Sequence, residues 1–344
     1  MTNMIDTAAP VGAEHPLQSA ARDRRDFIRR CTQVTVVAAG AMLLDSCGSD
    51  SDSTPAPGAT PSPTASLTPL PVPTPGPTYT ASDADRINFL LQVDYLVAEF
   101  LSVGVLGQPL PDTLTTGAGS RGTVSGGSTA KIADSQLADI LREIAYDLVT
   151  QVATLRDLLG GAVTARPAIT ISGAADGPFT KLAPSTVVAA GAAFDPYGSE
   201  LNFLLAATAL LGVSVTAYHD VARLLSDTDL TTRLAGIMAA RSYHDAAIRY
   251  FLYFRGLSDN TIYSTANDLS NARNALAGGR NYDQGIGDQN GANVIPSDDN
   301  QGVLRRPPDQ VLNVLYINNL AVNAGGFFPA GINGLIRYSG ASNV

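Results

Sequence analysis

Between Val213 and Arg255 the chain reads VSVTAYHDVARLLSDTDLTTRLAGIMAARSYHDAAIRYFLYFR. In its second half Leu234, Ile237, Met238, Arg241, Asp245, Ile248 and Leu252 recur at three- and four-residue steps, the period of one helical face. That face is apolar except at Arg241 and Asp245, and His244 stands beside them. Upstream, the stripe Ile87, Leu90, Leu91, Asp94, Val97, Leu101 carries one lone charge, Asp94. A third stripe, Leu137, Ile140, Leu141, Ile144, Leu148, Gln151, Val152 and Leu155, brings in an amide. Inward carboxylates and an imidazole could serve as metal ligands. An inward guanidinium cannot ligate, because Arg does not deprotonate, and it needs a partner because an unpaired buried charge costs about 3–5 kcal/mol.

Long helices must position these groups. Ser82 or Asp83 can cap a first helix running to about Val105. A Gly/Pro/Thr loop over 107–128 leads to a second helix from about Asp134 to Leu159, stopped by Gly160-Gly161. A long crossing segment through Pro167 and Pro196 has no helical period. A third helix starts between Tyr197 and Glu200 and ends by Ser226, and a fourth begins near Asp229 after a short turn, which makes the two antiparallel. Beyond Gly256 the pattern predicts a short helix over Ala266–Ala277, a Gly/Asn/Asp-rich loop, a helix from Pro308 to Leu320, and a tail ending in Phe327, Phe328 and Ile332. The reading is an all-α four-helix bundle over 82–256, with an irregular C-terminal extension over 257–344 that contains short helices.

The N-terminal part reads as an address. Arg24-Arg25-Asp26-Phe27 followed by an apolar run from Val34 to Leu44 resembles a Tat export signal. The run is shorter than the roughly 20 residues of a membrane span. Leu44-Asp45-Ser46-Cys47-Gly48 resembles a bacterial lipobox, with Asp45 departing from the small or apolar residue usual there. Residues 1–47 are thus expected to direct export to the periplasm or cell envelope, with a lipid anchor at Cys47 as the membrane contact. Residues 48–81, rich in Pro, Ser and Thr, read as an extended tether.

Composition excludes several function classes. The chain has 31 acidic and 22 basic residues and no basic stripe, so no nucleic-acid partner is expected. Trp is absent. The only cysteines, Cys31 and Cys47, belong to the address, so cleavage before Cys47 leaves no pair to bridge. No Ser/His/Asp triad or Cys nucleophile can be assembled. Asp298-Asp299-Asn300 lacks the ligand spacing of a calcium loop and reads as a polar turn. Glu99, Glu143 and Asp147 read as ordinary helix carboxylates before a shifted metal site, and His219, beside Asp220, as a structural or exposed histidine.

From about Asp83 to Tyr338 the chain resembles the ferritin-like desiccation-related protein family. The segments that carry the resemblance are NFLLQVDYLVAEF (88–100), REIAYDLVTQVATLRDLLG (142–160), FDPYGSELNFLL (194–205) and VSVTAYHDVARLL (213–225). AGIMAARSYHDAAIRYFLY (235–253), ANVIPSDDN (292–300), QVLNVLY (310–316) and GGFFPAGINGLI (325–336) continue it in order. The resemblance implies a ferritin-like bundle with a long crossover. It also implies a di-metal pocket built from one carboxylate on each of two helices and a Glu-x-x-His pair on each of the other two. Carried over, those positions fall on Asp94, on Leu148 and Gln151, on Leu211, and on Arg241 and His244. Two of the six can still coordinate, and a fixed cation stands at a third. The expectation is that Arg241 pairs with Asp94 across the bundle, flanked by Gln151 and His244. It follows that no cofactor is expected and the role is non-catalytic: structural, binding or stress-protective. The alternative is an iron- or manganese-dependent redox protein acting on oxygen or peroxide, which export of folded, cofactor-loaded proteins through the Tat route would favour.

Overall fold

The computed structural model describes residues 80–341; the export signal, Cys47 and nearly all of the tether lie outside the described residues. Four long helices form the bundle: α1 (Asp83–Leu101), α2 (Ser135–Leu159), α4 (Glu200–Ala222) and α5 (Thr228–Gly256). A short α3 (Pro178–Leu182) lies in the crossover, and α6 (Thr261–Leu276) and α7 (Pro308–Tyr316) belong to the C-terminal extension. Polar caps start the long helices by accepting otherwise orphaned backbone N–H groups. Ser82 and Asp85 form a reciprocal capping box on α1. Asp134, Ser199 and Asp227 cap α2, α4 and α5.

The helices pack as two hairpins, α1 along α2 and α4 along α5, joined mainly through α1 against α4. Contacts across the bundle fix the directions. Near the start of α1, Asn88 donates to the Ala162 carbonyl just past the end of α2, and Asp83 accepts from the Ser226 and Asp227 N–H groups just past the end of α4. Helix α1 is therefore antiparallel to both α2 and α4, so α2 and α4 run the same way. The chain leaving α2 must consequently travel back along the bundle before α4 can begin, which is what residues 160–199 do. That segment is not featureless. Val124–Ser125 (β1) pairs in parallel with Ile169–Thr170 (β2), tying the first loop to the crossover. Helices α1 and α4 are long and apolar enough to pass for membrane spans by length and composition, yet most of each is buried in this protein.

Three boundaries differ from the sequence reading. Helix α1 does not run on as a regular helix; a π-helical turn over Ser102–Leu106 follows it. Gly104 in that turn is needed, because a Cβ there would lie 2.4 Å from the Phe203 ring. Helix α6 begins five residues before Ala266, since Asp259 accepts from the Thr261 N–H and hydroxyl at its start. Helix α7 stops at Tyr316, where Ile317 turns left-handed at φ 53°, rather than continuing to Leu320. The tail then folds back as expected. Phe327 and Phe328 are fully buried, Phe327 edge-on to Phe179 of α3 at 5.0 Å and Phe328 edge-on to Tyr316 at 6.3 Å.

Candidate functional site

The polar residues of the inner stripes converge at mid-bundle. Arg241 of α5 and Asp94 of α1 are both 0% exposed, and the Arg241 Nη2 lies 2.7 Å from the Asp94 Oδ2. The same carboxylate oxygen accepts the Tyr218 hydroxyl from α4 at 2.6 Å. Arg241 donates from Nε to Gln151 Oε1 on α2 at 2.8 Å and from Nη1 to Ser214 Oγ on α4 at 2.6 Å. Its guanidinium carbon lies 5.3 Å from the centre of the Tyr218 ring. One cation on α5 thus draws partners from the other three helices of the bundle. Helical spacing explains why: Ser214 and Tyr218 stand three and seven residues after Leu211 on the inner face of α4, which turns them toward Arg241.

Burial pushes the Asp94 carboxyl above its ordinary value, with the Arg241 charge and the Tyr218 hydroxyl pulling the other way. Burial and the neighbouring carboxylate hold the Tyr218 hydroxyl well above its usual value, so it stays a donor. Asp94 Oδ1 has no hydrogen-bond partner.

The other expected site residues fall as follows. Leu148 and Leu211 are fully buried core residues. Gln151 flanks the pair as expected. His244 does not: its Nε2 lies 3.0 Å from Asp147 Oδ2 on α2, and its Nδ1 has no partner. Three residues beyond Arg241, it is rotated about 60° around the helix, toward α2 and away from Asp94. Glu99 accepts from the Leu110 N–H at 3.0 Å and pairs with Arg166, so it serves the first loop and the crossover. Asp147 is taken up by His244, and Glu143 is exposed. Among the described residues no three His, Cys, Asp or Glu side chains are grouped so as to hold a metal ion. His219 is structural, its Nδ1 lying 2.6 Å from the Val303 carbonyl. Asp298 closes a polar turn by accepting from the N–H groups of Asn300 and Gly302.

Asp245 belongs to a second polar cluster that sequence periodicity did not reveal. It is buried beside Arg249, and its carboxyl is pushed up to about 6 by burial, with Arg249 and Arg273 opposing the rise and Asp283 adding to it. Arg249 donates to the carbonyls of Gln284 and Asn293 at 2.9 and 2.8 Å. Arg273 of α6 grips Asp283 with two bonds at 2.6 and 2.7 Å, and Arg306 approaches the same carboxylate at 3.4 Å. These residues fasten the C-terminal extension to α5. Asp283 and Arg306 lie outside any periodic segment, so no helical pattern could have joined them to Asp245.

Residues 82–254 match the ferritin-like domain family. The chain belongs to that family. Two relatives match a longer share of the chain. The ferritin-like catalase Nec2 of Nesocodon mauritianus is 27% identical over 272 residues, covering 74% of this chain and 85% of the relative. The desiccation-related protein PCC13-62 of Craterostigma plantagineum is 25% identical over 272 residues, covering 72% and 82%. The expected kinship with ferritin-like desiccation-related proteins holds. No solved structure matches the chain.

Proposed function

We propose that this protein is an exported, lipid-tethered ferritin-like domain in which a buried ion pair replaces the di-metal centre. Its role is then non-catalytic: structural, binding or stress-protective at the cell envelope. The observation that carries this reading is the Asp94–Arg241 contact, fully buried and supported from all four helices. A ferritin-like di-metal centre takes about six inward ligands. Here two apolar leucines, an amide and a fixed guanidinium stand at four of the six positions, and the guanidinium lies against a remaining carboxylate. A cation held there repels an incoming metal, so this donor set does not fit a di-metal centre. The twin-arginine signal and the lipobox, with Cys47 as the anchor, support the envelope location.

The second reading is an iron- or manganese-dependent redox protein acting on oxygen or peroxide. It draws support from the relative named as a catalase and from two unpartnered donor atoms, Asp94 Oδ1 and His244 Nδ1. Peroxide decomposition by the full chain, followed as oxygen evolution after incubation with iron or manganese, separates the two. The proposal expects a rate indistinguishable from buffer containing the same metal. Turnover that disappears in His244→Ala would establish the second reading instead.

A further inference from the structure

Beyond its first turns, where Asp229 and Arg233 are exposed, helix α5 is charged on its inside and uncharged on its outside. Between Arg233 and Arg255 every ionisable acid, base and imidazole it carries (Arg241, His244, Asp245 and Arg249) is buried. The outward face reads Gly236, Ala240, Tyr243, Ala247, Tyr250, Phe254 and Leu257, at alternating four- and three-residue steps. That is the spacing of a helix seam that packs on another helix. Tyr243, Tyr250, Phe254 and Leu257 are 74%, 55%, 61% and 59% exposed, and the Tyr250 and Phe254 rings stack on each other at 6.2 Å. The neighbouring outer helix α2 behaves ordinarily, with Asp139, Arg142, Glu143 and Asp157 on its exposed side. The uncharged face is therefore a property of α5 and not of the whole surface.

We propose that this face is the two-fold interface of a homodimer, with α5 packed antiparallel on α5 of a second copy. The seam is self-complementary about Ala247. Reversing it sets Gly236 against Leu257, Ala240 against Phe254, and Tyr243 against Tyr250, while Ala247 meets its own copy. Gly236 and Ala240 thus receive the large residues of the other end, two Tyr243–Tyr250 contacts flank the axis, and Ala247 stands at the point of closest approach, which makes the face self-complementary, as a two-fold contact requires. Area agrees. At about 200 Å² per large side chain, the four exposed ones offer about 500 Å² per copy and about 1,000 Å² for the pair, the lower bound for a specific interface.

Sedimentation velocity on the full chain carrying Cys47→Ser, which bears no lipid, tests this. The expected species has twice the chain mass. The Tyr243→Glu/Tyr250→Glu double variant places carboxylates opposite one another and is expected to weaken dimerisation about 100-fold or more, with helical circular dichroism unchanged. Ala247→Cys is expected to form a disulfide or short thiol cross-link that peptide mass spectrometry maps to position 247 in both copies. A monomer at every concentration, or a dimer that survives the double variant, overturns the proposal. So does a monomer that binds phospholipid vesicles through Tyr243 and Tyr250, which would assign the face to the membrane.

Discussion

Replacing Arg241 by Met removes the cation but leaves the Asp94 carboxyl fully enclosed, with only the Tyr218 hydroxyl to accept from. Breaking one side of such a pair costs about 3–5 kcal/mol, whereas exchanging both partners for apolar groups of similar volume is often neutral or stabilising by about 1–4 kcal/mol. The single variant Arg241→Met is therefore expected to lose about 10 °C in melting temperature, and Asp94→Leu/Arg241→Met to regain most of it. Acidity sharpens the test. Burial already raises the Asp94 carboxyl, and without Arg241 its main opposition is gone. An acid whose folded value lies above its unfolded value is relatively stabilising while protonated and loses that contribution as pH rises through the folded value. The deficit of Arg241→Met should thus be smallest in mild acid and grow toward alkaline pH. Urea unfolding of the full chain across that range reads it directly. If Arg241→Met is as stable as the parent at every pH, and Asp94→Asn also changes nothing, the two groups are not coupled.

Three other outcomes follow from the same physics. Asp245, with its carboxyl pushed up to about 6 against an ordinary 3.8, destabilises the folded state as pH rises from about 4 through 6, by about 3 kcal/mol in all. Asp245→Asn should raise the melting temperature at pH 7.5 more than at pH 4.5, seen by calorimetry at the two pH values. Gly326→Ala should destabilise by at least about 2 kcal/mol in urea, because φ is 48° there and a Cβ would lie 2.5 Å from the Leu315 carbonyl oxygen. In cells, Cys47→Ser should move the protein from the membrane to the soluble envelope fraction, and Arg24→Lys/Arg25→Lys should hold it back in the cytoplasm; fractionation with immunoblotting checks both.

The bundle was legible because three of its four long segments carry inner stripes at helical spacing and the second ends at Gly160-Gly161. The Asp94–Arg241 contact was legible for a related reason: each is a charge set into an apolar stripe, and a buried charge needs an opposite one. The hydroxyls that complete the site were not. Ser214 and Tyr218 sit among Val213, Val215 and Ala217, where a small hydroxyl or a tyrosine ring reads as packing. Its bond to Asp94 and its place under the Arg241 guanidinium mark Tyr218 as more. The misplacement of His244 has the same root, since a three-residue step leaves it on the flank of the stripe, where α2 offers Asp147. Asp245 was visible as a polar residue on the core face, but its surroundings come from residues 273–306. There Gly- and Asn-rich segments have no period, and long-range hydrogen bonds decide the path. The outward seam of α5 was written in the sequence as well. It became readable once the structure assigned the charges between Arg233 and Arg255 to the interior.

The most direct test of the ion-pair account is elemental analysis of the full chain purified from cells supplied with iron and manganese, beside a variant carrying Leu148→Glu, Gln151→His, Leu211→Glu and Arg241→Glu. The account predicts no stoichiometric metal in the parent and metal in the variant, where the missing ligands return and the obstructing cation is gone. Near-stoichiometric iron or manganese in the parent, lost on His244→Ala, would contradict it.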